Sequence, residues 1–548
     1  MASEHAEDAA SSRADRRLEH AVIALALVFH AAFFAWFPSL RSPNELTRVY
    51  LASALIEDGT VCIDRQIERN GRIFDVSVRE VDGRPRYYSD KAPGVALLAV
   101  PVLALYQAVA DAPSLSGKVR LTRLWVSALP TALLLVLLLA VLRARLRTRR
   151  LPALLVLAYA LGSPAAAYAG MAYGHQLTAV VLFALFVAIL KTSPGAPAWR
   201  SALVGAGAAL AVTVEYPSAL LLLPFSLFFA LRVQLRVRAL LAAAFGAAPV
   251  IAVLLGYHQL AWGSPFETGY SFIASSFKEV HAQGLLGVAW PRAAHAYLSF
   301  LSPAKGLFFF APWLALALPG LWLLWRADAT AAEAPRDTGD HVHHGAFAQA
   351  RFVLALLVLY ALFVSALVYP VGGWTVSQRH LVPALPFMLL PIGLLIDRLE
   401  RRPGCGRALL AGLALPGLLA CGLSALVWPH WQEHLRNPFW QLGWPLFLDG
   451  WVAPSGFEAI GVPSRIAGAG LLGLAALALL VELTLGPGSR LRRLLAVSAA
   501  LVLAFGFVAL GRLPGREQDT RADRRFIERV YQSDPSTAVD ARGGTRHD

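Results

Sequence analysis

From residue 123 to residue 511 the chain is a succession of long apolar runs separated by short connections, many of which carry arginines. A helix needs about 20 mainly apolar residues to cross the hydrocarbon core of a bilayer. The 548 residues are 57% hydrophobic and 15% charged, whereas ordinary soluble chains are about 25% charged. A soluble fold would need many helices that are apolar all round. The pattern instead specifies an all-α polytopic membrane protein. The formal charge of +14 would suit nucleic acid, but the basic residues gather in short connections, where they record topology. No nucleic-acid partner is expected.

The candidate spans fall at 20–38, 123–142, 151–169, 174–190, 200–215, 217–231, 238–258, 306–325, 351–370, 381–397, 407–428, 464–485 and 492–511. Arg143, Arg145, Arg147, Arg149 and Arg150 mark one cytoplasmic connection, and Arg232, Arg236 and Arg238 a second. Arg398, Arg401, Arg402 and Arg407 mark a third, and Arg490, Arg492 and Arg493 a fourth. Arg13, Arg16 and Arg17 put the N-terminus on the same side. The N-terminal run is long for a signal peptide and has no small-residue cleavage site, so a retained first span is expected. One alternating path satisfies all these loops if the stretch 95–110, short and containing Pro101, lies on or dips into the outer face. The alternative is that it crosses and one of the short pair around Glu215 does not. The first path gives about 13 crossings.

The expected organisation is a cytoplasmic tail at 1–19, a transmembrane domain at 20–511 and a short outer tail at 512–548. Outer loops fall at 39–122, 259–305 and 429–463. Cys62, Cys405 and Cys421 fall outside, inside and within a span, so neither a disulfide framework nor a zinc site is expected. His341, His343 and His344, in an inner loop, read as solvated side chains.

The polar residues suited to chemistry fall on one side of this topology. The loop at 38–94 opens with Ser42-Pro43-Asn44-Glu45-Leu46-Thr47-Arg48 and closes with Tyr87-Tyr88-Ser89-Asp90-Lys91-Ala92-Pro93-Gly94. Glu45 and Arg48 share a helical face, with Ser42 or Asn44 as cap and Pro43 in the first turn. That helix is expected to lie flat on the membrane. Alternation from Ile73 to Arg79 suggests a small hairpin. Further along come Tyr173-Gly174-His175, Glu215 at an outer turn, Lys305 before a span, and Trp374 followed by Arg379-His380. A carboxylate between apolar helices is a functional candidate by default. The bland alternatives are a surface ion pair for Glu45, packing for His175 and an interfacial anchor for Lys305. Cations beside carboxylates at the membrane surface suit a lipid carrying a phosphate: Arg48, Lys91 and Arg379 to neutralise it, and a carboxylate to take a proton from an incoming hydroxyl.

Residues 42–94 resemble the first outer loop of the GT-C superfamily of integral membrane glycosyltransferases. The likeness is closest to the branch of protein O-mannosyltransferases and bacterial lipid A aminoarabinose transferases. That branch has an early acidic pair, an Arg, an Ala-rich helix ending in Gly, and a Lys-Pro-Pro-like motif before an interfacial helix. Here stand Asn44-Glu45, Arg48, Ala52, Gly59 and Lys91-Ala92-Pro93-Gly94. Asn44 departs from the usual Asp, and the outer C-terminal domain common in the branch is nearly absent.

The resemblance implies a GT-C-like fold with a large first periplasmic loop carrying interfacial helices. It also implies a polyprenyl-phosphate (undecaprenyl-phosphate) sugar donor, an outward-facing site and inversion at the anomeric carbon. Glu45 is then the first choice for general base, with Asp90 as its partner or alternative. Arg48, Lys91 and Arg379 would hold the phosphate, and Tyr88, Tyr173, His175, Glu215 and His380 would line the donor or acceptor cavity. A Glu45/Asp90 pair could hold a divalent cation, though no cofactor is expected to be obligatory. The acceptor would be a lipid, glycan or protein at the outer face of a bacterial inner membrane. The competing reading, a lipid-linked sugar transporter, calls for internal symmetry and polar residues near the bilayer middle. The sequence has no evident repeat, and its polar residues gather at one face.

Overall fold

The computed structural model describes residues 2–33, 42–273, 277–332, 341–401, 404–485, 493–494, 497–498, 501 and 519–532. The architecture is helical, with a single two-stranded sheet among the described residues. The elements that matter for the site are α1 (Ala2–Ala32), α2 (Pro43–Glu57), α3 (Asp64–Asn70), β1 (Val76–Val81), β2 (Arg84–Ser89) and α4 (Gly94–Val109). The bundle continues with α5 (Leu115–Arg143), α6 (Leu151–Leu161), α7 (Gly174–Leu190), α8 (Ala198–Val214), α9 (Tyr216–Arg232) and α10 (Val237–Trp262). It is completed by α11 (Ala293–Phe300), α12 (Ala317–Ala332), α13 (His341–Ala366), α14 (Arg379–Arg401), α15 (Gly406–Val427), α16 (Ser464–Leu485) and α17 (Arg521–Gln532).

Among the described residues six helices are long and apolar enough to cross a membrane, and five further apolar helices are shorter. On α10, Leu241, Phe245, Val253 and Leu260 are all more than half exposed. Apolar surface on that scale needs a lipid solvent rather than water, and the chain is an integral membrane protein.

Two expected spans are interrupted. The run 151–169 is helical only to Leu161, where Gly162-Ser163-Pro164 breaks it before a single turn at Ala165–Tyr168. The run 306–325 divides into Leu307–Phe310, a 3-10 turn at Pro312–Leu316 and α12, because Pro312 cannot donate to the preceding turn. The expected run 492–511 lies almost wholly outside the described residues, as do the side chains of His341, His343 and His344.

The bundle has two opposed polar ends. α5 runs from Arg123, which is paired with Glu45, to Arg143, which is paired with Glu19. α14 runs from Arg379 to Arg398 and Arg401, and α7 from His175 to Leu190, whose carbonyl accepts from Arg232. At the basic end the amides of Arg147 and Thr148 donate to Asp397 at 3.1 and 2.7 Å. Arg407 there pairs with Glu400 at 3.0 Å and Glu482 at 2.7 Å, and Arg150 also reaches Glu482. The arginine loops at 143–150, 232–238 and 398–407, read as cytoplasmic from sequence, thus share one end, and Glu45, His175 and Arg379 lie at the other.

The segment 42–94 folds at that second end. The expected hairpin forms, with β1 and β2 antiparallel from Val76 opposite Ser89 to Val81 opposite Arg84. Its two-residue turn is Asp82-Gly83, both with positive φ (52° and 71°), which matches the right-handed twist of the strands. The expectation for α2 is corrected. Its residues from Asn44 to Ala54 leave no face open to a membrane, because all are buried under α3, α4, β2 and the start of α5.

Candidate active site

A cavity of about 370 Å³ opens at the end of the bundle where α2, α7, α14 and the hairpin meet. Its lining includes Arg48, Asp90, Lys91, Tyr173, His175, Glu215, Arg379 and His380. Eight of the ten residues chosen from sequence therefore converge from four distant segments. Gly94 makes part of this possible. A Cβ there would lie 2.6 to 2.7 Å from the backbone of Thr213 and Val214, so only glycine lets the start of α4 rest on the turn carrying Glu215. That contact brings Asp90 and Lys91 beside Glu215.

The remaining two residues face elsewhere. Glu45 is 1% exposed and is not part of the lining. Its Oε1 accepts from Arg123 Nε at 2.7 Å and from the Ala172 amide at 2.7 Å, and its Oε2 accepts from Arg123 Nη2 at 2.5 Å. Burial opposes ionisation of Glu45, yet the charge and hydrogen bonds of Arg123, helped by His430 and the Ala172 amide, hold its pKa below the ordinary value. A carboxylate so occupied ties α2 to α5 and to the 172–173 segment. It has no open side toward a substrate. Tyr88 is also buried, packed at 5.2 Å against Trp262 in the core beneath the hairpin.

The acidic pair at the cavity is Asp75 and Asp90, bridged by Lys91 at 3.0 and 2.7 Å. Burial, the largest influence on Asp90, raises its carboxyl above the usual value; Lys91 opposes, and the like charge of Asp75 adds to the rise. Asp90 Oδ1 is buried without a hydrogen-bond partner. Burial disfavours the Lys91 ammonium, but Asp75 and Asp90 outweigh it and raise its pKa. Arg48 donates to the Asn44 carbonyl at 2.5 Å, to the Asn44 side-chain oxygen, and to Glu215 Oε1 at 3.2 Å. The sequence pairing of Glu45 with Arg48 is thus replaced by Glu45 with Arg123 and Arg48 with Glu215. Arg379 differs from the other two lining cations: among the described residues it has no carboxylate partner, and its Nε meets only His380 at 3.4 Å. His175 lies 5.1 Å from the His380 ring and 4.0 Å from Glu215.

Sequence reasoning missed Asp75, Tyr270, His281, Tyr369, His430 and Glu433, all of which line the cavity. His430 is held down to about 4, chiefly by burial, with Glu45 pulling the other way. Its Nε2 is buried with no hydrogen-bond partner. The signal for Asp75 was present, since it lies in the alternating stretch from Ile73 to Arg79 and directly precedes β1. His430 sits between Trp428 and Trp431 in an outer loop, with no local pattern to set it apart. Among the described residues no group of three His, Cys, Asp or Glu side chains is arranged to hold a metal ion. Glu45 and Asp90, which the sequence allowed as a cation-holding pair, each meet a different side-chain cation, Arg123 and Lys91.

A narrower crevice shares His175, Glu215, Pro217, Phe363 and His380 with the cavity and continues among Leu220, Leu221, Tyr360 and Pro383 on α9, α13 and α14. At the mouth, Trp374 lines the cavity and packs at 5.9 Å against Phe526 of α17. α17 is the described part of the C-terminal tail. It buries Phe526, Ile527 and Val530 and is pinned by ion pairs from Asp523 to His434 and from Arg524 to Asp449.

No protein-family model matches the chain, and no curated protein matches it. Among solved structures the chain is similar to the crystal structure of ArnT from Cupriavidus metallidurans bound to undecaprenyl phosphate. The identity is 15%, the match covers 89% of this chain and 76% of that one, and the TM-score is 0.46.

Proposed function

We propose that the chain is a membrane glycosyltransferase that moves one monosaccharide from a polyprenyl-phosphate carrier to an acceptor lipid, glycan or protein. It would act at the outer face of a bacterial inner membrane, with inversion. The observation that carries this reading is the meeting of Asp90, Lys91, Arg48 and Arg379 in one cavity at the end of the bundle opposite the arginine loops. The apolar crevice among Leu220, Leu221 and Tyr360 suits the first isoprene units of a carrier whose phosphate stays at the surface.

Asp90 is the proposed base in place of Glu45. An acceptor hydroxyl oxygen attacks the anomeric carbon, the bond from that carbon to the phosphate oxygen breaks, and the hydroxyl proton passes to Asp90. The leaving phosphate gains one negative charge. Arg379 meets it directly, with Lys91 and Arg48 behind. His175, His380 and Tyr173 are proposed to line the sugar pocket, and Glu215 to orient Arg48.

The test is to incubate purified protein with labelled polyprenyl-phosphate sugars. Release of free carrier phosphate together with a new glycoside supports the reading. Carrier translocated across vesicles with its sugar bond intact would overturn it.

A further inference from the structure

Lys305 is a fully buried lysine that the mechanism above does not use. It is 2% exposed, yet no carboxylate lies within ion-pair distance among the described residues. Its Nζ donates instead to the Gly373 carbonyl at 3.0 Å, the Thr375 carbonyl at 2.6 Å and Thr375 Oγ1 at 3.2 Å. The contact is reciprocal, since Ser377 Oγ donates to the Lys305 carbonyl at 3.1 Å. Three acceptors around one nitrogen use all three N–H groups of an ammonium.

The segment so held is the bed of Arg379. Gly372 and Gly373 have φ of +69° and +81°, and Ser377 has φ of +55°. A Cβ at Gly372 would lie 3.6 Å from Arg379 Cγ and Nε, and one at Gly373 3.7 Å from Nη1. The guanidinium therefore rests along a turn of left-handed backbone that needs outside support. Other supports leave the fold itself intact: the Thr375 amide donates to Trp431, Gln378 donates to Pro370, and Tyr168 donates to Val376. Lys305 is the charged support, and it holds the Gly373 and Thr375 carbonyls.

We propose that Lys305 is the positioning residue of the anion-binding turn, holding Gly373–Thr375 so that Arg379 meets the donor phosphate already oriented. This rests on the reading of the cavity as a lipid-phosphate site. Two charged groups face Lys305: Glu433, which favours the ammonium, and Arg379, which opposes it. Burial is the largest influence and, with Arg379, outweighs Glu433 and brings its pKa down to about 7.

The test measures binding of polyprenyl phosphate to the full chain in lipid nanodiscs for wild type, Lys305→Met, Arg379→Ala and the double variant, with hydrogen exchange over 372–378. Lys305→Met should weaken binding about tenfold, and the double variant should bind no worse than Arg379→Ala, because groups acting through one another are not additive. Exchange in the turn should rise. Lys305→Gln, which keeps two donors without the charge, repeats the test if the Met variant does not fold, and should fall between wild type and Lys305→Met. Additive losses, or unchanged binding with unchanged exchange, would overturn the positioning role alone. A wild-type chain that does not bind polyprenyl phosphate would overturn the lipid-phosphate reading and this role with it.

Discussion

The two carboxylates that sequence offered as first and alternative base should fail in opposite ways. Glu45→Gln removes the charge facing Arg123 while both side chains remain at 1% exposure. Breaking a buried pair by neutralising one partner costs about 3–5 kcal/mol, because the other charge is stranded. Glutamine keeps one acceptor, enough for the Ala172 amide or Arg123 Nε, but turns an NH₂ toward Arg123 Nη2. The lower end, about 3 kcal/mol, is the expectation, read as a fall on the order of 5 °C in melting temperature. Asp90→Asn is different. Lys91 keeps Asp75 at 3.0 Å, and a carboxylate that burial already disfavours is replaced by a neutral group. Stability should change by less than about 1 kcal/mol, while transfer falls roughly 10²–10⁴-fold, the worth of a positioned base.

The assay is melting of the purified variants beside turnover per folded molecule, with Glu45→Gln expected within tenfold of wild type on the second. Acid titration adds a sign. The folded pKa of Glu45 lies below its unfolded value. Its stabilisation is therefore complete above the unfolded value and is lost as pH falls through the folded one, a loss Glu45→Gln should not show. A Glu45→Gln protein that melts like wild type but loses turnover a hundredfold would falsify the assignment, as would Asp90→Asn with wild-type turnover.

Arg379→Ala should raise the KM for the lipid-phosphate donor at least tenfold, whereas Tyr88→Phe, under the hairpin, should leave donor kinetics within twofold. Equal effects would show that lining the cavity does not separate the two residues. Gly94→Ala forces a Cβ into the Thr213–Val214 backbone and should cost about 1–3 kcal/mol, as overpacking does, together with lost transfer; a melting curve like wild type would refute the close contact. Below about 7 the Lys305 ammonium is charged and fills three acceptors, and above it the amine is neutral. The affinity gap between wild type and Lys305→Met should therefore narrow as pH rises through 7, and a gap constant from pH 6 to 8.5 would count against it.

Sequence made the membrane class and most of the cavity legible because both rest on signals that survive without coordinates. Long apolar runs mark spans, arginines mark sides, and polar residues stranded near span ends are costly enough to need a reason. It paired Glu45 with Arg48 because helical spacing puts residues three apart on one face. The actual partner, Arg123, lies on another helix, 78 residues along the chain, and no local pattern announces it. The same limit hid His430 and Glu433. Tyr88 was misjudged because neighbours on a strand face opposite ways, and which of Tyr87 and Tyr88 turns inward depends on Trp262, which sequence does not bring near.

The charges around the cavity explain why a carboxylate with a raised pKa is useful there. The lining holds Arg48, Lys91 and Arg379 against Asp75, Asp90, Glu215 and Glu433, so with every carboxyl ionised the anions lead. During transfer the carrier phosphate passes from one negative charge to two. A site already short of positive charge would resist that step in a low dielectric. If the acceptor proton goes to Asp90, the cavity loses one negative charge as the phosphate gains one, and its total is unchanged. Burial and Asp75, which raise the Asp90 carboxyl, make it the group most ready to accept. Transfer should then fall as pH drops through that raised value, because the base arrives already protonated. The residual rate of Asp90→Asn should be flat over the same range, and an acid limb surviving in that variant would move the proton to another group.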